Sequence, residues 1–135
     1  MGDRANIVIQ YEKGERIYFY GHWNGEGYAS ALQLALAKRW RWDDPAYLAR
    51  IIWDEFCPRP GTETGFGISP YLCDNEHPIL VVDVGAKEVR TEAEPDAKTA
   101  PWYPVGRRWT FEEYVALPDA QTAVTEAVSG LPETI

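Results

Sequence analysis

The sequence predicts an α+β fold in which a small antiparallel sheet packs on a helix pair. Three observations predict it: two β-rich runs joined by a turn near the start of the chain, two helical stretches in succession after them, and a later run that is the most apolar of all.

Ile7, Val8, Ile9, Gln10 and Tyr11 are the first run, Glu12-Lys13-Gly14-Glu15 has turn composition, and Arg16-Ile17-Tyr18-Phe19-Tyr20 is the second run, so the three together read as a hairpin. Gly21-His22-Trp23-Asn24-Gly25-Glu26-Gly27 then breaks the pattern. From Tyr28 to Arg41 the spacing of Tyr28, Leu32, Ala35 and Leu36 puts one apolar face on a helix. Asp44 as N-cap and Pro45 in the first turn start a second helix, with Leu48, Ile51, Ile52 and Phe56 at helical spacing until Pro58 stops it. The two helices form a hairpin across Trp42-Asp43.

Pro58 to Gly67 holds two Pro, three Gly and two Thr and predicts a loop, with a short strand beginning at Phe66 to Ser69. Ile79 to Val84 is the central strand, and Lys87 to Arg90 pairs with it across Gly85-Ala86. Residues 91–101, charged and Pro-containing, read as an exposed loop. Thr110 and Glu113 form a capping box for a short helix through Leu117. Residues 118–135 read as a peripheral segment, with a helix that places Ala120, Ala123, Val124, Ala127 and Val128 on one side and ends at Gly130.

A chain of 135 residues with 45% hydrophobic content and six Trp predicts one domain with a sizeable core. Its formal charge of −8 argues against duplex nucleic acid as a partner, because phosphate contacts need clustered Lys and Arg. The acidity lies in the second half: residues 1–57 carry seven basic and eight acidic side chains, residues 58–135 six and thirteen. No apolar run has the length of a membrane span, the N-terminal residues lack a signal-peptide pattern, and Asn6 stands where a myristoylation motif wants Ser or Thr, so a cytoplasmic protein is expected. Six Trp and eight Tyr predict a homodimer, since aromatic residues are enriched at interfaces.

The first candidate site is the turn from Gly21 to Gly27. Backbone N–H groups at a helix N-terminus attract anions, and Gly25 and Gly27 would let a phosphate approach them. Trp23 offers a stacking face, Asn24 a donor and acceptor, and His22 a donor tunable near neutral pH. Set against this is a tight turn whose aromatic rings simply fill the core. Thr64 and Phe66 lie in a second loop that would fold back towards the turn. Arg107 and Arg108, beside Trp102, Tyr103 and Trp109, are weaker additions, and Lys38, Arg39 and Arg41 read as charges that favour a helix C-terminus. Cys57, Cys73, His22 and His77 lack the paired spacing of a zinc site, so no metal or other cofactor is expected. No nucleophile motif is present and no catalytic residue is assigned; the one enzymatic alternative is a hydrolase combining His22 with Glu26 or Glu63.

Ile17-Tyr18-Phe19-Tyr20-Gly21-His22-Trp23, the run from Arg41 to Ile52, Glu63 to Ile68 and Asp74 to Leu80 resemble a group of small proteins of tailed bacteriophages and actinobacteria that share a tyrosine-rich strand ending in a His-Trp-Gly-type turn. The likeness covers Asn6 to about Leu117, with Asn24 where the group has Gly. It implies an accessory factor acting on a host. The expected function is sequestration, without catalysis, of an anionic nucleotide-derived small molecule such as an immune signal. The contrasting expectation is an inhibitor of a host protein, using the acidic second half to imitate nucleic acid.

Overall fold

Strand β1 (Ala5–Gln10) turns into β2 (Arg16–Gly21), and two helices follow, α1 (Tyr28–Ala37) and α2 (Pro45–Phe56). The chain then adds β3 (Phe66–Ser69), β4 (Ile79–Asp83), β5 (Glu88–Glu92), β6 (Val105–Thr110), α3 (Phe111–Val115) and α4 (Ala120–Ser129). A computed structural model describes residues 2–59, 61–94 and 105–129. The α+β expectation holds: all six strands form one sheet in the order β3-β2-β1-β4-β5-β6.

One pairing departs from the expected antiparallel sheet. β1 runs parallel to β4, with Ile7 opposite Leu80 and Ile9 opposite Val82. A parallel neighbour needs a crossover, and α1, α2 and β3 supply it by carrying the chain over one face before β4 returns to the middle. That face buries Ile7, Ile9, Phe19, Leu80, Val82 and Val89 against Leu32, Leu36, Leu48 and Ile52 of the helix pair. Val124 of α4 belongs to the same cluster, so the described part of the C-terminal segment is docked and not peripheral.

Two buried hydroxyls fix α1 in this layer: Tyr28 donates to the Pro78 carbonyl at 2.8 Å and Tyr114 to the Ala29 carbonyl at 2.7 Å. Burial raises the pKa of both phenols, which keeps them neutral donors. α1 stops at Ala37, short of the expected Arg41, because Arg39 and Arg41 both take left-handed conformations with φ of 60°. Asp44 does occupy the α2 N-cap, yet its side chain makes no cap hydrogen bond and pairs instead with Arg41. The Thr110–Glu113 capping box is present in full.

The opposite face carries no helix among the described residues. Val8, Tyr18, Ile79 and Val81 are nevertheless buried there, with Leu72 packed beside them. Arg16 on β2 reaches past β1 and β4 to form a two-point pair with Glu92 on β5, both contacts at 2.9 Å. Arg90 Nε donates to the same carboxylate at 2.9 Å, and its Nη1 donates to Asp83 at 3.0 Å. Burial acts to lower the pKa of Arg16 and Arg90, but the facing carboxylates outweigh it and hold both guanidiniums above their ordinary value. Thr91 and Glu92 are thus buried strand residues and not the start of the expected exposed loop; Ala93 and Glu94 are exposed and follow the strand as expected, and 95–101 lie outside the described residues.

Glu92→Ala should destabilise the fold by about 3 kcal/mol, because it removes the buried carboxylate shared by two partly buried guanidiniums; a guanidinium denaturation midpoint close to wild type would contradict this role. Thr122 donates from Oγ1 and N to the Asp119 carboxylate, at 2.7 and 3.1 Å, and these bonds hold the Asp119 pKa below its ordinary value. A carboxyl depressed by folding stabilises above its unfolded pKa, about 4, and that contribution disappears as pH falls through the lower folded value. Amide protection at the start of α4 should therefore decline below about pH 4, and Asp119→Asn should remove the pH dependence.

Candidate functional site

The turn after β2 and the loop before β3 meet as the sequence predicts. His22 N donates to the Gly65 carbonyl at 2.9 Å, and a Cβ on Gly65 would come within 3.2 Å of Trp23 Cδ1, so the indole lies on that loop's backbone. Trp23 is 57% exposed, with the His22 ring edge-on at 4.3 Å, and Thr64 is exposed nearby in sequence. Phe66 is different: its ring packs on Phe56 at 5.2 Å and is part of the helix-side core.

The N–H groups that were to hold an anion are occupied by the chain itself. Gly25 N donates to the Asp3 carbonyl, Gly27 N and Tyr28 N donate to the Asn24 carbonyl, and Ala29 N donates to Gln121 Oε1 at 3.1 Å. Gln121 Nε2 in turn donates to the Gly25 carbonyl at 2.8 Å, so a side chain of α4 closes the N-terminus of α1. Asn24 faces inward, with Nδ2 donating to the Phe56 carbonyl at 3.2 Å. Gly25 serves close packing and not ligand approach, since a Cβ there would lie 2.1 Å from His77 Nε2 and 2.3 Å from Asp3 Oδ1. His77 Nε2 and that Asp3 carboxylate form a hydrogen-bonded pair.

Arg107 and Arg108 do not reach the turn. They stand on β6, at the opposite edge of the sheet from β3. Arg107 stacks over Trp109 at 5.3 Å and Arg108 donates to Glu88 at 2.7 Å. Trp102 and Tyr103, the other members of that cluster, lie outside the described residues.

The polar chemistry concentrates instead on the helix-free face, at the end of the sheet next to His22. A cleft of about 480 Å3 is lined by Arg4, Leu72, Cys73, Asp74, Asn75 and Glu94. Tyr20 pairs with Asn6 across β1 and β2, and its hydroxyl shares a hydrogen bond with His22 Nδ1 at 2.9 Å. Burial raises the Tyr20 pKa against the opposing pull of the Arg4 guanidinium, so the phenol stays protonated. Asn6 is fully buried, and its Nδ2 donates to the Asp74 carbonyl and to Asn75 Oδ1, both at 3.1 Å. Among the described residues its Oδ1 has no partner, and neither has Arg4 Nε, from which Asp74 is 3.9 Å away.

Arg4 and Asn6 are two residues apart on extended chain and so point to the same face. A buried donor and a buried acceptor thus stand unsatisfied at one end of the sheet, and such pairs are rare in folded proteins. One sequence signal marks them: Asn6 is the polar residue within the otherwise apolar run Ala5 to Ile9. Burial raises the Cys57 thiol pKa, which suits an inert core side chain. Comparison with protein-family models, with curated proteins and with solved structures finds no match to the chain.

Gly25→Ala should destabilise by about 1–3 kcal/mol through overpacking against the Asp3–His77 pair. Gly27→Ala, whose Cβ would meet Asn24 Oδ1 at 3.1 Å, should cost less. Equal thermal midpoints for the two variants would show that the contact at Gly25 is not what fixes the turn.

Proposed function

We propose that the protein is a non-catalytic binder of a small nucleotide-derived molecule, which it holds by a base-like edge and releases unchanged. The observation that carries this is the unpaired Arg4 Nε at a cleft large enough for a nucleoside, lined also by Asp74 and Asn75, the residues that cover the buried and half-satisfied Asn6. A planar amide or nucleobase edge offers an acceptor for Arg4 and donors for the lining carboxylates. Arg4 also supplies positive charge for one phosphate, while Asp74, Glu76 and Glu94 nearby disfavour a densely charged ligand. The exposed Trp23 ring, next to His22, would stack on a part of the molecule that extends over the turn. Sequestration of a signal in a host cytoplasm is the biological form this activity takes under the phage resemblance.

A second reading, inhibition of a host protein, is favoured by a different observation. β3 is an edge strand without a charged residue, and Trp23, Ile68 and Tyr71 are exposed along that side of the molecule. With a chain charge of −8, the partner would be an extended basic segment adding to that edge.

Calorimetry with nucleosides, nucleoside monophosphates, cyclic di- and trinucleotides and ADP-ribose isomers tests the first reading, followed by chromatography of the released ligand. Saturable binding of at least one member is expected, weakened about tenfold or more by Arg4→Gln. Loss of one base stack in Trp23→Ala should cost about 1–3 kcal/mol if the ligand covers the turn. Absence of binding across the panel would overturn the reading; an altered ligand would show an enzyme.

A further inference from the structure

The polar groups left over in the cleft beside Arg4 are unequal in kind. Asn75 is used within the chain: its Oδ1 accepts from Asn6 Nδ2 at 3.1 Å and its Nδ2 donates to the His77 carbonyl. Glu76 is engaged as well, with Oε1 accepting from Arg4 N at 2.8 Å and Oε2 lying 3.6 Å from Arg4 Nη1. Asp74 and Glu94 line the cleft with exposed carboxylates that accept no hydrogen bond among the described residues. Set against them is the Arg4 guanidinium, whose unpaired Nε lies 3.9 Å from Asp74 Oδ2.

An ionised carboxylate accepts and cannot donate, and a guanidinium donates and cannot accept. An edge that docks here must therefore bring donors to Asp74 and, beside them, an acceptor to Arg4. Guanine does both: O6 and N7 accept, while N1–H and the 2-amino group give two donors in line for a two-point contact with one carboxylate. Adenine has a single amino group flanked by the acceptors N1 and N7, cytosine an amino group next to the acceptor N3, and uracil one N–H between two carbonyls. Each of these three turns a lone pair towards a carboxylate when it offers its donor, which is how a site rejects a wrong partner.

Charge points the same way. Arg4 is one cation among Asp74, Glu76 and Glu94, so an uncharged base enters the cleft at less electrostatic cost than a phosphate does. We infer that the cleft selects guanine, with Asp74 accepting from N1–H and the 2-amino group and Arg4 donating to O6. This assignment rests on the binding reading proposed above and names the base it takes.

Calorimetry of the full chain with guanosine, inosine, adenosine, cytidine and uridine tests this. Guanosine should bind about tenfold or more tightly than adenosine, cytidine and uridine, and inosine, which lacks only the 2-amino group, about tenfold more weakly than guanosine. Asp74→Asn should abolish the difference between guanosine and inosine, with a thermal midpoint near wild type because that side chain is exposed. Guanosine should also slow alkylation of Cys73, which lines the cleft, with the buried Cys57 as an internal reference. Another nucleoside binding as tightly as guanosine would overturn the assignment to guanine and leave the binding reading standing. A guanosine–inosine difference that survives Asp74→Asn would do the same, as would guanosine binding that leaves Cys73 unprotected. No binding by any nucleoside or nucleotide would overturn both.

Discussion

β1 must be buried on both faces, and most of the molecule follows from that requirement. Ile7 and Ile9 need the helix layer, while Val8 and Asn6 point the other way and are just as inaccessible. A strand flanked by β2 on one side and β4 on the other has no edge through which to relieve this. The helix pair answers for one face only. On the other, among the described residues, closure falls to Leu72 and to Arg16, Glu92 and Arg90 strung across the strands. Removing charges from water costs several kcal/mol per ion, so this cluster contributes little net stability. Its effect is geometric, since only the long arms of arginine span two strands while keeping their charged ends paired.

The same requirement produces the cleft. Strand alternation sends Asn6 to the helix-free face, where the 74–75 backbone passes over it and satisfies its amide nitrogen but not its oxygen. Arg4 follows the same alternation, and its backbone and guanidinium are drawn to Glu76 while Nε is left over. The neighbouring turn shows the opposite outcome. There Asn24, Gln121 and Asp3, from three separate parts of the chain, supply acceptors for the N–H groups of Gly25, Gly27, Tyr28 and Ala29. At the turn the chain meets its own polar demands, whereas beside the cleft a donor and an acceptor are left over.

Local signals carried the legible part of the fold. The β1–β2 hairpin, the Asp44-Pro45 start of α2 and the Thr110–Glu113 box each depend on residues a few positions apart, and each stands where the pattern puts it. The run Ile79 to Val84 announces a buried strand, but composition does not say which neighbour it takes or in which direction, so the parallel pairing with β1 was not legible. Nor was the burial of Glu92, whose partner Arg16 is 76 residues away. The site suffered in the same way: the turn was correctly joined to the Gly65 loop, yet its closure by Gln121 comes from 92 residues beyond Ala29. Arg107 and Arg108 looked adjacent to the site only because strand order is invisible in the sequence.

Leaving a buried polar atom unpaired costs about 1–3 kcal/mol, so a fold that keeps Arg4 Nε and Asn6 Oδ1 in this state is less stable than one that replaces both by apolar groups of the same shape. On the proposed binding reading, a molecule that pairs with Arg4 Nε would add its binding free energy to the folded state alone, because Arg4 stands beside the 72–76 chain only when the sheet is formed. Ligand occupancy and the integrity of the sheet centre would then be linked. On that reading the helix-free face, held among the described residues by charged groups and not by a second helix layer, is the part of the sheet whose opening such a ligand would most directly oppose.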